Sequence, residues 1–584
     1  MNTEWNLSIM YKGLDDPALQ EDMDKLSKAN ESLKAAVEKA AGLDSHKEKA
    51  ELILTELESY NEILMKLFNF LQLRQSCNTE DGQNMALINK VMSIYNAGAE
   101  YSVAADRILG SIENVDELAK ESDLINEYAF LIKETKKRCS HLLSNEVEAM
   151  ISAMDMTGGG AWGDLQSYLT STVKVDYDCK QVTLSEIRNL AYSSDAKVRK
   201  AAYDAELKCY EKIADSVAFS LNNIKNQVTM LSAKKGYESP LAMTLENSRM
   251  SRQTLDAMME AVEEYLPVFR KYLRKKGELL GYKNGLPWFE LFAPLGKSDK
   301  KYSLEEARDY LTTCFNEFTP DMAAMMKEAF DNEWIDFYPR NGKQGGAFCA
   351  SLTGYKQSRI LTNYDGTFGA IDTLAHELGH AFHNRTMEGQ RILNSDYPMP
   401  VAETASTFNE VHLGHYALSK ASNDEEKLAL LENDLREKAQ CVVDIYSRYL
   451  FETAVFEQSQ EKFLMAPDLN EIMLDCQKKA YGDGLDPEYM HPYMWVCKSH
   501  YYSSGMSFYN FPYTFGNLFA QGLYNLYCEQ GDAFVANYKE MLRLTPVHTI
   551  EEDGAMLGID LTKKDFWEAS LKSIAEEIEE FCKL

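Results

Sequence analysis

Residues 370–382 read AIDTLAHELGHAF and hold the most informative pattern of the chain, because His376 and His380 are four residues apart and Glu377 directly follows the first of them. Residues four apart on an α-helix share a face, so both imidazoles can reach one metal ion with the carboxylate of Glu377 beside it. Apolar side chains recur at spacings of three and four, at Ile371, Leu374, Leu378 and Phe382. The spacing therefore predicts a helix with metal ligands on one side and a core-facing stripe on another.

Two histidines need a third protein ligand before they form a catalytic zinc site. A further histidine in the pattern H-E-x-x-H-x-x-G-x-x-H is excluded, because its glycine position is occupied by His383 and its last histidine position by Thr386. The alternative is a glutamate on a second helix. The histidines could instead be satisfied core residues with Glu377 a solvated charge, although the ordered set favours a metal site.

The segment 400–410, PVAETASTFNE, is suited to supply that glutamate. Pro400 fits the first turn of a helix, and Glu403 and Glu410 are seven residues apart, hence on nearly the same helical face. We expect Glu403 to be the third ligand. Glu410 is expected either to accept a hydrogen bond from the far nitrogen of a ligand histidine or to be an exposed helix carboxylate. The remaining nearby histidines, His383, His412 and His415, are expected to lie outside the metal set.

A set of two histidines and one glutamate leaves the fourth position of zinc open for water. The prediction is one Zn²⁺ held by His376, His380 and Glu403. Zinc lowers the pKa of such a water to about 7, and Glu377 is then placed to take its proton as general base.

Several ordered motifs resemble the M3 family of metallopeptidases, and within it the oligoendopeptidase F group. They are WNLS at 5–8, GGGAWGDL at 158–165, GAFC at 346–349, ILTNY at 360–364, HELGHAFH at 376–383 and ETASTFNE at 403–410. The resemblance spans essentially the whole chain. It implies a mainly α, zincin-type peptidase in which two lobes flank a deep channel with zinc at its floor and a small β-sheet near the active site. Such a channel would admit unfolded oligopeptides and exclude folded proteins.

A tyrosine-rich region near the end of the chain resembles the substrate-binding His/Tyr region of the same family. The resemblance implies a histidine and two tyrosines there, for which His500, Tyr509 and Tyr513 are the candidates and Tyr502 a further contender. A neutral His or Tyr can donate a hydrogen bond to the oxyanion of a tetrahedral intermediate. The chain holds 33 tyrosines, so each of these could instead be a packing residue with a wet hydroxyl.

The rest of the chain reads as helical, and only residues 335–366 read mainly as strand and turn. Gly345 and Gly346 precede a short apolar run that suits either an edge strand approached by substrate backbone or a plain hairpin. A break at the three glycines 158–160 and a strand-turn pattern at 173–182 lead us to expect an N-terminal helical domain, 1–200, and a catalytic domain, 201–584.

Composition bounds the remaining alternatives. With 584 residues, 45% hydrophobic and 26% charged, the chain has the composition of a large globular protein. Its net charge of −30 disfavours nucleic-acid binding, and the lack of a long apolar run disfavours membrane insertion. The odd number of cysteines, eleven, with no C-x-x-C pair, favours free thiols in the cytoplasm.

The sequence therefore predicts a zinc-dependent endopeptidase that hydrolyses internal bonds of unfolded oligopeptides. A related zinc carboxypeptidase would need a cationic group for the free carboxylate of its substrate, and the sequence assigns none. A non-catalytic peptide-binding protein would be expected to lack Glu377 or a metal ligand, and all are present. The oligomeric state is left open.

Overall fold

A computed structural model describes residues 2–296 and 300–584. Helices make up 72% of the chain, which confirms the predicted mainly α class. The helices of the N-terminal third are α1 Pro17–Ala41, α2 His46–Cys77, α3 Gly82–Gly110, α4 Val115–Ala119, α5 Asp123–Glu127, α6 Ala129–Ser140, α7 Asn145–Asp155 and α8 Gly159–Thr172. A hairpin of β1, Lys174–Tyr177, and β2, Lys180–Thr183, then follows, as the strand-turn pattern predicted.

The central and C-terminal helices surround the HELGH motif. They are α9 Leu184–Asn189, α10 Ala196–Lys234, α11 Pro240–Asn247, α12 Arg252–Leu279, α13 Leu304–Phe318, α14 Pro320–Asp331, α15 Phe368–Thr386, α16 Met399–Ala402, α17 Thr404–Lys420, α18 Asp424–Ala439, α19 Ile445–Gln458, α20 Ala466–Tyr481, α21 Met494–Cys497, α22 Phe511–Gln530, α23 Asp532–Leu544, α24 Ile550–Met556 and α25 Lys564–Lys583. A π-helical turn, Gln440–Asp444, joins α18 to α19.

The cores divide the helices into two groups. Apolar side chains of α1 to α6 form two clusters of their own, whereas the main core begins with Val173 and continues to the C-terminus. Leu352 is a member of one N-terminal cluster, so the small sheet lies where the two groups meet. Residue 200 lies inside α10, and the predicted division into domains 1–200 and 201–584 stays a prediction.

The small sheet lies beside the motif helix. It consists of β3, Ile335–Asp336, β4, Phe348–Leu352, and β5, Gln357–Leu361, in the order β3-β5-β4. β5 runs parallel to β3 and antiparallel to β4, with Phe348 opposite Leu361. The apolar run predicted after Gly345 and Gly346 is strand β4, which lies at the edge of the sheet and also forms a hairpin with β5. The two alternatives drawn from the sequence, an edge strand and a hairpin, are therefore both present.

Helix α15 contains the whole predicted stretch 370–382. Thr367 caps its N-terminus by accepting a hydrogen bond from the backbone N–H of Ala370 at 3.2 Å. The apolar stripe predicted for this helix is fully buried, which fixes the rotation of α15 and turns His376 and His380 towards α17. Within residues 2–296 and 300–584, no helix is long and apolar enough to cross a bilayer.

One local prediction is wrong. The second helix was expected to run unbroken from Pro400 through Glu410, but α16 ends at Ala402, Glu403 has φ −93° and ψ 6°, and α17 begins at Thr404. Helix α16 is a single turn of four residues, so it has too few hydrogen bonds of its own to hold its axis in line with that of α17. Glu403 lies at this joint.

Candidate metal and catalytic site

A glycine lets the two site helices approach each other. A Cβ added to Gly379 would lie 2.6 Å from both the carbonyl oxygen of Ala405 and the Cα of Ser406, so the backbones of α15 and α17 touch at this point. The amide of Asn409 ties them further by donating to the carbonyl of Ala375 at 2.9 Å. The glycine between the histidines is therefore what brings the next segment, with Glu403, within reach of both.

Three side chains converge across this contact. Glu403 Oε2 lies 3.2 Å from Nε2 of His376 and 3.2 Å from Nε2 of His380. One ligand atom from each residue lies within 4.8 Å of the other two, and in the described part of the chain no other group of three or more His, Cys, Asp or Glu residues meets this criterion. Donors about 2.1 Å from a tetrahedral metal are about 3.4 Å apart. The spacing and the chemistry of the donor set thus fit a zinc ion.

The electrostatics of the cluster also fit a cation. Burial lowers the pKa of His376, but the carboxylates of Glu403 and Glu410 outweigh it and raise that pKa to about 11. Burial raises the pKa of Glu403, yet its hydrogen bonds to His376 and His380 lower it far below its ordinary value. The carboxylates of Glu403 and Glu410 thus favour positive charge at this point, which a divalent cation bound there would supply.

Second contacts orient the ligands. Glu410 Oε1 lies 2.9 Å from Nδ1 of His376, which leaves Nε2 of that ring for the metal, as one of the two sequence alternatives required. Ser406 donates to Glu403 Oε2 at 2.8 Å. Sequence reasoning missed Ser406, although its place three residues after Glu403 on a helical turn was a usable signal.

Glu377 lies beside the ligands but outside their group. The residue is only 5% exposed, and its Oε2 has no hydrogen-bond partner among the described residues. Burial is the main cause that raises its pKa. An unpartnered buried carboxylate oxygen next to a metal group is the arrangement needed by a base that exchanges a proton with water.

The structure brings His500, Tyr509 and Tyr513 together. The His500 ring centroid is 4.8 Å from that of Tyr509 and 6.0 Å from that of Tyr513, and the two tyrosine rings are 5.5 Å apart. Tyr513 lies in the first turn of α22, but Tyr509 precedes the helix, so the two do not share a helical face as their spacing allowed. Tyr502 is excluded from this cluster, because it is buried and its hydroxyl donates to the carbonyl of Trp495 at 2.9 Å.

The protonation of this cluster suits hydrogen-bond donation. Burial, with the positive charges of Arg448 and Lys498 nearby, lowers the pKa of His500, so its ring is neutral near pH 7. Burial and the adjacent Tyr509 hydroxyl raise the pKa of Tyr513, which therefore keeps its proton.

One cavity of about 410 Å³ joins part of the metal group to part of the tyrosine cluster. His376, Glu403, Glu410 and Tyr513 contribute to its wall. A Cβ added to Gly516, one turn after Tyr513 on α22, would lie 3.4 Å from the Cβ of Glu403. Helix α22 thus packs directly against the side chain of the proposed third ligand.

The other histidines near the motif lie outside the metal group, as expected. Nε2 of His383 lies 2.9 Å from Oγ1 of Thr545, and burial is the main cause that lowers its pKa to about 3. His412 is buried with Nε2 3.3 Å from the carbonyl of Cys314. His415 stacks on Tyr524 at 4.4 Å.

Comparison with known proteins agrees with the motifs. The family model Peptidase family M3 matches residues 189–573, and the model Oligopeptidase F matches residues 111–174. Oligopeptidase PepF of Bacillus subtilis is 26% identical over 542 residues, which cover 90% of this chain and 80% of the relative. These matches confirm the resemblance read from the sequence.

The fold also has solved counterparts. The crystal structure of a peptidase from Chlamydophila abortus superposes with a TM-score of 0.83 at 19% sequence identity. The superposition covers 100% of this chain and 98% of the Chlamydophila abortus chain. Oligoendopeptidase-F from Enterococcus faecium superposes with a TM-score of 0.69 at 20% identity, over 96% of this chain and 98% of its own. At these identities the structures establish the shared fold.

Proposed function

Because the chain belongs to peptidase family M3 and is a metallo-endopeptidase, we propose that it hydrolyses internal bonds of unfolded oligopeptides with one zinc ion held by His376, His380 and Glu403. The observation that carries this proposal is the single carboxylate oxygen of Glu403 facing both imidazole nitrogens at 3.2 Å. Zinc bound there would act as a Lewis acid that polarises the scissile carbonyl and activates water.

Glu377 is the proposed general base. Its Oε2 is buried and unpartnered among the described residues, and its raised pKa brings its proton affinity closer to neutral pH. The carboxylate takes a proton from the attacking water and passes it to the amine of the leaving peptide. Because Glu377 does not hold the metal, its loss should remove turnover without removing zinc.

The tyrosine cluster is the proposed electrophilic partner. The hydroxyls of Tyr509 and Tyr513 and the neutral ring of His500 donate hydrogen bonds to the oxygen that gains negative charge as the carbonyl carbon becomes tetrahedral. Their grouping within about 6 Å of one another supports a shared role. A donor that strengthens its bond only in the transition state raises turnover rather than affinity.

The proposed substrates are extended peptides, and two features support this. Strand β4 is at the edge of its sheet, where an extended main chain can add as a further strand. The separate N-terminal cores support the two-lobed channel that the family resemblance implies, with the division near residue 200.

Eleven free thiols support a reducing, cytoplasmic location.

The test pairs Glu377→Gln with Glu403→Ala. We expect Glu377→Gln to keep its zinc and its peptide affinity and to lose at least ~10³-fold in turnover, a loss of about 4 kcal/mol in transition-state stabilisation. Glu403→Ala should lose zinc, measured by elemental analysis after dialysis. Glu425→Gln, an exposed carboxylate at the start of α18, is the control that should change neither quantity. Near-parental turnover in Glu377→Gln, or full zinc in Glu403→Ala, would refute the corresponding assignment.

A further inference from the structure

A second cavity of about 320 Å³ lies next to the catalytic one. Its wall combines aromatic rings with charged side chains, and includes Arg188, Tyr192, Glu206, Phe289, Asp444 and Lys498. The elements that form it are α9, α10, the turn at 288–290 and the segment before His500. No step of the proposed hydrolysis uses this cavity.

The two cavities share their dividing wall. The π-helical turn lines both, because Gln440 and Asp444 face the second cavity while Cys441 faces the catalytic one. Lys498 is two residues before His500, whose ring belongs to the tyrosine cluster. π-helical turns are rare and frequently found at functional sites. The two cavities therefore adjoin at this turn.

The charged residues of the second cavity, Arg188 and Lys498 against Glu206 and Asp444, are equal in number but are not all paired with one another. Asp444 is paired with Arg448 and accepts a hydrogen bond from the Tyr481 hydroxyl at 3.1 Å. Arg188 has Glu206 at 3.4 Å. The ammonium of Lys498 has neither a hydrogen bond nor an ion pair to any of the described residues, so among the charged groups of this wall it alone lacks a partner of opposite charge.

Keeping this cation without a partner is unfavourable. Burial, with the nearby charges of Arg448 and Arg188, lowers the pKa of Lys498 to about 8, even though Asp444 opposes the shift. Lys498 is half-buried, and an ammonium beside like charges is stabilised by a counter-ion. The missing partner is an anion, and an oligopeptide supplies one as a carboxylate.

We propose that Lys498, with Arg188 nearby, binds a carboxylate of the peptide substrate in this second cavity. The inference rests on the proposed function and adds a rule of substrate choice to it. The carboxylate is either the C-terminus of the peptide or an Asp or Glu side chain, while the aromatic walls take neighbouring apolar side chains. A peptide held there at one end presents its bonds to the metal centre at a set distance from the anchor.

Three matched peptides separate the two carboxylate sources. The first has a free C-terminus and no acidic residue, the second is the same peptide amidated at its C-terminus, and the third is amidated and carries one Glu. We expect the parental KM for the amidated peptide to be about 10- to 100-fold higher than for its free-carboxylate counterpart, the range for a lost charge-assisted hydrogen bond. If the anchor is a side chain, the Glu-containing peptide shows the low KM instead. Mass spectrometry of the products shows whether cleavage keeps a fixed distance from the C-terminus or follows the Glu.

Variants then assign the effect to one residue. Lys498→Met should raise KM for the carboxylate peptide to that of the amidated one, with turnover changed by less than about threefold, and Lys498→Arg should restore much of the difference. Lys208→Met, at an exposed lysine of α10, should leave both values unchanged. Because two peptides are compared within each variant, a difference in folded fraction cancels.

Two results would overturn the inference. Equal parental KM values for all three peptides, or a KM ratio that Lys498→Met leaves at its parental value, would refute the carboxylate site while the proposed hydrolysis stands. A parental enzyme that cleaves none of the three peptides would refute the proposed function and this inference together.

Discussion

Replacing Gly379 by alanine tests whether the close approach of α15 and α17 makes the metal site. The added methyl group would lie 2.6 Å from two backbone atoms of α17, and an ordinary contact begins near 3.4 Å. Neither a carbonyl oxygen nor a Cα can rotate away as a side chain can. The helices must therefore separate by about 0.8 Å at the level of the two histidines.

A separation of about 0.8 Å exceeds what a metal site tolerates, since ligand distances are held to about ±0.2 Å. Glu403 would be drawn away from His376 and His380, and we expect zinc affinity to fall by at least ~100-fold, the upper range for disturbed ligand support. Turnover per zinc-loaded enzyme should fall about 100-fold, since a 1 Å misplacement is enough for that. Overpacking should also cost about 1 to 3 kcal/mol of stability, partly offset by the higher helix propensity of alanine.

Gly369→Ala is the matched control on the same helix. Gly369 lies in the first turn of α15, and a Cβ there would meet only Oγ1 of Thr367, at an ordinary 3.8 Å. This variant should keep its zinc and turnover. The assays are competition with a chelator of known affinity, elemental analysis and peptide hydrolysis. If Gly379→Ala matches Gly369→Ala within about twofold in zinc affinity and turnover, the close approach is not what forms the site.

Three further changes test other parts of the site. Glu410→Gln should weaken zinc binding by about 10- to 100-fold in the same chelator competition, because Nδ1 of His376 loses its carboxylate partner, and unchanged affinity would contradict this role. Tyr509→Phe and Tyr513→Phe should each lower turnover by roughly 10- to 10³-fold with little change in KM, and unaltered turnover in both and in His500→Ala would leave zinc as the sole electrophile. Lys498→Met should stabilise the protein by about 1 to 2 kcal/mol at pH 7, because a folded-state pKa of about 8, below the ordinary 10.5, means that its charge opposes folding below pH 8. The gain is measured as a rise in the thermal unfolding midpoint. It should shrink between pH 8 and 10.5, because in that range the folded-state lysine is already neutral and the cost of removing the proton from the unfolded chain falls as the pH rises. A gain that persists at pH 10.5 would refute the charge explanation.

Residues close in sequence made the metal helix predictable. The spacing of His376 and His380 and the apolar stripe repeat with the period of one helix, and burial of that stripe turns the histidine face inwards. Glu403 was proposed because a second helix could return beside the first. The sequence did not reveal the break at Glu403, since α16 is a single turn and its direction depends on its packing against α22.

The tyrosine cluster needed the structure, because its geometry depends on a loop. Tyr509 and Tyr513 were the candidates from the sequence and Tyr502 a further contender, and only the fold shows the Tyr502 hydroxyl bonded to the carbonyl of Trp495. Tyr509 lies outside the helix that carries Tyr513, so a spacing of four residues, which permits a shared helical face, does not produce one here. Irregular backbone has no period from which side-chain direction can be read.

The sequence alone also could not single out Lys498, because its electrostatic surroundings depend on the fold. In the sequence it is one of 61 basic residues, and a lysine is by default a solvated surface charge. What distinguishes it is the arrangement of Asp444, Arg448 and Arg188, which satisfy one another or Glu206 and leave the ammonium alone. A cation that lowers stability is retained where function needs it, so the expected stability gain and affinity loss in Lys498→Met belong together. If the variant gained stability and kept its preference for carboxylate peptides, the unpaired charge would have no role in substrate choice.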